Sequence, residues 1–232
     1  MLRSLFASLF TILPMLFTLS CAAPEQHGVE TAVIRPNEVT DFRLLYAQNC
    51  SGCHGPNGQG SLSVEIGKPV YLAIADDPTI RRVIAEGTPG TAMPAFSQKA
   101  GGFLTDAQID ILVSGIRAWA TSAPALENLI NGRPPAYAAL VAGDAARGQG
   151  VFAEYCSGCH GADGRGARAI AGQPYLALVT DQHLRTVIIA GMPNFGMPDW
   201  RGYATPLSDA DVTDVVAWLA MQRTSPAASL NP

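Results

Sequence analysis

The sequence predicts an all-α protein made of two tandem modules, and three observations point there. A six-residue stretch, Cys50-Ser51-Gly52-Cys53-His54-Gly55, is written again as Cys156-Ser157-Gly158-Cys159-His160-Gly161. Around each copy the same helix signals follow in the same order. Within those segments apolar residues recur every three or four positions, the period of one helix face.

C-x-x-C-H is the pattern for covalent haem attachment. Two thiols add across the vinyl groups of one porphyrin, and the next residue offers an imidazole to the iron. The spacing therefore assigns Cys50 and Cys53 to one haem c and Cys156 and Cys159 to a second, with His54 and His160 as iron ligands. A thioredoxin-like redox pair needs no His here and belongs at a helix start in a βαβ frame, which the surroundings do not supply. Tetrahedral zinc wants four Cys or His ligands, and pooling both motifs would leave neither repeat complete.

With 232 residues, 48% hydrophobic and 15% charged, the chain has the composition of a globular protein with ordinary cores. The repeat divides it into modules at residues 38–120 and 143–224, each near the size at which a polypeptide core is marginal. A buried porphyrin supplies the missing apolar surface.

Residues 1–20 read as an export signal, with Arg3 at the start and an apolar run from Leu5 to Leu19 that is short for a membrane span. Haem is attached to c-type cytochromes outside the cytoplasmic membrane, so signal and motifs agree. Four of the five cysteines belong to the motifs, and the fifth, Cys21, directly follows the apolar run. Thr18-Leu19-Ser20-Cys21 resembles a bacterial lipobox, with Thr18 where Leu is usual, and implies a lipid anchor on Cys21. Plain secretion, an uncleaved anchor and a disulfide are the alternatives. Removing residues 1–20 takes away Arg3 and no acid, so 15 basic and 19 acidic residues become 14 and 19, a charge of about −5 before haem propionates are added. Nucleic acid is not an expected partner of such a chain.

Residues 21–37, broken by Pro24, Gly28 and Pro36, read as a tether, and His27 within it as a solvent-exposed side chain. Val39 to Asn49 is expected to be a helix leading into the first motif, and Gly143 to Tyr155 its counterpart. Tyr46 and Phe152 each stand four residues before the first motif Cys, so they should occupy one point of the fold. Gly-rich turns, Gly55 to Gly60 and Gly161 to Gly166, follow the motifs. Tyr71 and Tyr175 come next in matching segments, suited either to the porphyrin and its propionates or to core packing.

Asp76 or Asp77 with Pro78, and Thr180 or Asp181, mark the starts of the following helices, which Gly87 and Gly191 close. His183, without a counterpart in the first half, reads as a surface or helix-start residue. Thr105 to Gln108 is a capping-box pattern and Ser208 to Asp211 a near one, opening last helices with faces at Ile109, Leu112, Val113, Ile116 and at Val212, Val215, Val216, Leu219. Between the modules lies a linker, residues 121–142, whose Leu126, Leu129, Ile130 and Tyr137 suit it to wrapping a domain; residues 225–232 form a tail.

An iron held by His alone has one axial position open. Met93 and Met197 each follow the helix-closing Gly by six residues, precede Pro, and stand three before an aromatic residue, Phe96 or Trp200. A lone Met is usually core filling, but this repetition on a loop points to thioether ligation of both irons. Met192 also precedes Pro, yet its counterpart in the first half is Thr88, so Met197 is preferred. His and Met together close both axial positions to small molecules and raise the potential. That chemistry moves electrons. No Cys, His or carboxylate cluster remains to build a substrate site, so no catalytic residue is assigned.

These motifs, Met-Pro loops and first and last helices resemble the class I cytochrome c family, as two fused cytochrome c domains over residues 38–120 and 143–224. The resemblance implies a close crossing of first and last helices, helped by a Gly eight before the first haem Cys and a large residue opposite. Gly148 fits, with Trp218 the expected partner; the first repeat reverses the sizes, Phe42 against Gly115. It also implies a dihaem electron carrier on the periplasmic side of a bacterial membrane, relaying between a quinol-oxidising complex or dehydrogenase and a terminal acceptor. Its partners would be a redox protein or a membrane respiratory complex. The alternatives are a haem subunit of a periplasmic oxidoreductase or terminal oxidase complex, and one catalytic haem acting on a small sulfur compound or peroxide. Unequal surroundings of the two motifs predict two distinguishable potentials.

Overall fold

Each C-x-x-C-H stretch forms one helical turn that continues the helix before it after a break at its first Cys. The structure is a computed structural model describing residues 34–60, 63–122, 133–171 and 174–223. The first half runs through α1 (Phe42–Asn49), α2 (Ser51–His54), α3 (Pro69–Ile74), α4 (Asp77–Glu86) and α5 (Asp106–Ala118). The second repeats the order as α6 (Ala145–Tyr155), α7 (Ser157–His160), α8 (Pro174–Leu178), α9 (Asp181–Ala190) and α10 (Asp209–Met221). Among the described residues there are isolated bridges at Ser97–Leu104 and Met192–Met197 but no strands. The fold is all-α, as predicted.

Short polar side chains fix where the helices begin, because each accepts from an N–H that the first turn leaves free. Asp41 accepts from Leu44 at 2.7 Å, so α1 starts three residues after the predicted Val39. Asp144 accepts from Ala146 and Arg147 and starts α6. Asp76 and Thr180 cap α4 and α9. Thr105 with Gln108, and Ser208 with Asp211, close capping boxes at α5 and α10. Gly87 and Gly191 end α4 and α9 at φ +70° and +68°, a conformation that favours glycine.

First and last helices pack in both halves, by different contacts. A Cβ on Gly115 would lie 2.1 Å from the Phe42 ring, so the size exchange in the first half holds. A Cβ on Gly148 would instead lie 1.9 Å from the Asp214 carbonyl oxygen: here two backbones touch. Trp218 packs on Phe152, with ring centroids 4.4 Å apart, rather than standing as the nearest neighbour of Gly148. In the first half the tryptophan is Trp119, 5.0 Å from Tyr46 and one helical turn later than Trp218 in repeat register. The predicted equivalence of Tyr46 and Phe152 is therefore met, both buried and both facing a tryptophan.

Arginines hold the short helices in place. Arg117 donates to the carbonyls of Leu72 and Ala75 at the end of α3 and pairs with Asp77 at the start of α4. Arg223 does the same for Leu176, Val179 and Asp181 in the second half. Arg185, 2% exposed, joins α9 to the linker and α10 through the Ala136 and Tyr137 carbonyls, the Thr213 hydroxyl and Asp209. Within residues 133–142, Ala136 and Tyr137 are thereby tied to the second half.

Ile34 onward is one compact unit whose buried side chains form a continuous cluster drawn from both repeats. No described helix is long and apolar enough to cross a membrane. The export signal, Cys21, His27, the linker residues Leu126, Leu129 and Ile130, and the tail lie outside the described residues.

Candidate haem-binding sites

In both repeats the motif His is held by a backbone carbonyl that the Gly-rich turn brings to it. His54 Nδ1 lies 2.9 Å from the Val64 carbonyl oxygen, and His160 Nδ1 lies 2.5 Å from that of Arg168. A carbonyl can only accept, so Nδ1 carries the hydrogen and Nε2 keeps its lone pair for a metal. The turns are closed tightly enough to require glycine: a Cβ on Gly55 would lie 2.0 Å from the Gln59 carbonyl oxygen, and one on Gly161 would lie 2.5 Å from the Gly166 nitrogen. The Tyr46 hydroxyl donates to the Gly55 carbonyl at 2.9 Å, tying α1 to the first turn.

The cysteines are not poised as redox thiolates. Burial, with the neighbouring thiol second, pushes Cys50 and Cys156 up to about 11, while Cys53 and Cys159 are exposed. A reactive thiolate pair wants the opposite shift. Burial also holds His54 below the ordinary imidazole value, so it stays neutral, the form that ligates metals. Among the described residues no three His, Cys, Asp or Glu side chains gather to hold a metal ion.

Met93 and Met197 occupy equivalent places. The Thr88 N–H donates to the Met93 carbonyl at 3.0 Å, and the Met192 N–H to the Met197 carbonyl at 2.9 Å, so Thr88 and Met192 are indeed counterparts. Both loops fold back onto the glycine that ends the preceding helix: a Cβ on Gly87 or Gly191 would lie 2.6 Å from the backbone after Met93 or Met197. The aromatic residue three after each Met is buried and its N–H returns to α4 or α9, Phe96 to Ile84 and Trp200 to Ile189. Met93 and Met197 pack against the core with partial exposure.

The residues fit haem. A cavity of about 980 Å³ is lined by Cys50, Cys53, His54 and Met93 together with apolar side chains such as Ile80, Val83 and Ile84. That is the scale and character of cofactor sites, about 300–1,000 Å³ and mainly apolar. In the second half the Trp200 indole N–H is buried without an acceptor, a donor that a bound group bearing carboxylates is able to satisfy.

Three features of the sites have no local sequence signal. Glu65, 2% exposed, follows the carbonyl that holds His54; it accepts from the Gly60 N–H at 2.7 Å and from Asn194 of the second Met loop at 2.6 Å, with Lys68 at 3.5 Å. Tyr175 and His183, half-buried in the second half, line the cavity of the first. His183 is at the helix start the sequence predicts, but faces this cavity rather than open surface.

A family model described as "Cytochrome C oxidase, cbb3-type, subunit III" matches residues 37–114 and 143–219. The chain is 32% identical over 142 residues to the cbb3-type cytochrome c oxidase subunit CcoP of Azospirillum sp. (strain B510), which covers 55% of this chain and 40% of that protein. It is 31% identical over 166 residues to the subunit FixP of Sinorhizobium medicae (strain WSM419), covering 65% and 50%. The chain thus spans about half or less of the curated relatives it matches. Among solved structures, a chain of the Kuenenia stuttgartiensis reducing HAO-like protein complex Kustc0457/Kustc0458 is similar at 18% identity and a TM-score of 0.42, covering 82% of this chain and 99% of that one.

Proposed function

The chain belongs to the family of cbb3-type cytochrome c oxidase subunit III and is a dihaem c-type cytochrome, and from that premise we propose that it passes electrons as the haem subunit of a respiratory oxidase complex. Cys50, Cys53, Cys156 and Cys159 attach the two haem c groups, His54 and His160 ligate the irons on one side, and Met93 and Met197 on the other. The observation that carries this reading is the pairing of each motif His with a backbone carbonyl, which turns Nε2 into the ligating atom at both sites.

When bound, haem supplies a one-electron couple; the protein's work is to hold it with little rearrangement. Neutral imidazole and neutral thioether donors favour the reduced state relative to charged ligands and leave no axial position for a small molecule. The buried walls of the first site limit water, which favours the less charged ferrous form in the same direction. Both curated relatives bear the names of oxidase subunits, which favours an oxidase complex as acceptor over a free carrier's varied partners. The N-terminal apolar run followed by Cys21 supports a reading in which a lipid anchor holds the haem domains at the outer face of the membrane.

Single Met93→Ala and Met197→Ala variants test the ligand set. Each should abolish about half of the weak far-red sulfur-to-iron absorption band while both haems remain attached. Met192→Ala should leave it whole. A Met93→Ala or Met197→Ala variant with an undiminished band would remove that residue from the site.

A further inference from the structure

Side chains of both repeats face the cavity of the first motif. Tyr71 and Tyr175 occupy matching positions, on α3 and α8, yet both line the cavity that holds Cys50, Cys53, His54 and Met93. Tyr71 reaches it from within its own repeat and Tyr175 from across the boundary. Behind Tyr175 stands His183 in the first turn of α9, its Nε2 3.1 Å from the Tyr175 hydroxyl and the two rings edge to face at 6.1 Å. Its other ring nitrogen makes no hydrogen bond among the described residues.

This wall is firmly held. Thr180 caps α9 by accepting from the His183 N–H, Gln182 donates to the Tyr137 carbonyl at 2.7 Å, and Arg185 ties the same helix to the linker and α10. Burial pushes the Tyr175 hydroxyl up to about 12, and burial with the nearby His54 second draws His183 down to about 4. Both side chains are half-buried in the cavity wall.

A haem carries two carboxylates, and a carboxylate taken out of water needs hydrogen-bond donors. In the first repeat's own Met loop, Thr91 is already engaged, its hydroxyl donating to the Thr88 carbonyl and accepting from the Met93 N–H. Resting on the haem assignment above, we propose that the first repeat's haem occupies a site shared by both repeats, in which the Tyr175–His183 pair of the second repeat supplies a polar contact to its carboxylate edge. These two are positioning residues: they set the polar environment of the first haem.

Replacing the pair leaves a haem carboxylate less compensated, and that negative charge stabilises ferric iron. His183→Leu and Tyr175→Phe should each lower the midpoint of the first haem, with His183→Leu changing its ferric/ferrous constant by about tenfold, about 59 mV for one electron. The second haem should not move. The test is a spectroelectrochemical titration of the full haem-loaded chain, in backgrounds where Met93→His or Met197→His marks one haem by a lowered potential. His183→Gln, which keeps a polar side chain, should recover part of the shift, and far-UV circular dichroism should be unchanged in all of them. A shift in the second haem, equal shifts in both, or none would overturn the shared site. Failure of Met93→His to mark any haem would instead count against the ligand assignment on which the inference rests.

Discussion

The crossings of first and last helices answer a single added methyl group in opposite ways. In Gly115→Ala the new Cβ would begin 2.1–2.3 Å from three atoms of the Phe42 ring, whereas ordinary contact starts near 3.4 Å. The ring must retreat by about an ångström, and it is able to, because Phe42 is only partly buried and meets Trp119 edge-on at 5.5 Å. Overpacking of this kind costs about 1–3 kcal/mol, and alanine's better helix propensity returns about 0.5–1 kcal/mol. A net loss of about 1–2 kcal/mol follows, most of it recovered in the double variant with Phe42→Leu. In Gly148→Ala the obstacle is the Asp214 carbonyl of α10, at 1.9 Å for the oxygen and 2.4 Å for the carbon. A helix backbone cannot step aside as a ring does, so the loss should be about 3 kcal/mol or more. Trp218→Leu should not relieve it, since Trp218 packs on Phe152. Denaturant unfolding of the haem-loaded variants, arranged as two double-mutant cycles, measures both couplings. A Gly148/Trp218 coupling equal to that of Gly115/Phe42, or a Gly115→Ala variant that costs nothing, would refute this account of the two crossings.

Arg185→Met should destabilise the second half by about 3 kcal/mol, because the Ala136 carbonyl and the Thr213 hydroxyl lose their donor and Asp209 loses its cation; thermal unfolding with a change below about 1 kcal/mol would contradict that. Asn194→Ala should cost about 1.5–3 kcal/mol, the value of a hydrogen bond to a charged group, and should disturb the far-red band of the second haem, since Asn194 lies between Met192 and Met197. Urea titration beside the optical spectrum reads both effects. Hydrogen bonds from Thr79 hold Asp76 below its ordinary carboxylate value, so its cap contribution is complete above about pH 3.8 and disappears as pH falls through the lower folded value. Asp76→Asn should flatten that part of the acid-unfolding curve, and an unchanged slope would assign the acid sensitivity elsewhere.

Much of the haem machinery was legible because its parts are close in sequence or repeated at fixed offsets. The C-x-x-C-H turns, the Met six after a helix-closing Gly, and the caps at Asp76, Thr105, Thr180 and Ser208 are short-range patterns with a local physical cause. The first helix starts three residues after the expected Val39, because the Asp41 side chain takes the cap by accepting from the Leu44 N–H. The resemblance sets Trp218 against Gly148 because a Gly there implies a large residue opposite, whereas the backbones at Gly148 and Asp214 come close enough to exclude any side chain between them.

By itself the sequence determined an all-α chain of two tandem modules, two C-x-x-C-H turns, and which methionine of the second loop matches the first. Those follow from covalent spacing, since a few residues of helix or turn leave little freedom in where a side chain ends up. Only the tertiary structure decided that Tyr175 and His183 face the other repeat's cavity, that Asn194 holds Glu65, and that Arg185 pins the linker. Such contacts join residues from 24 to 129 positions apart. Nothing in the local pattern ranks one such pairing over another until the two repeats are packed together.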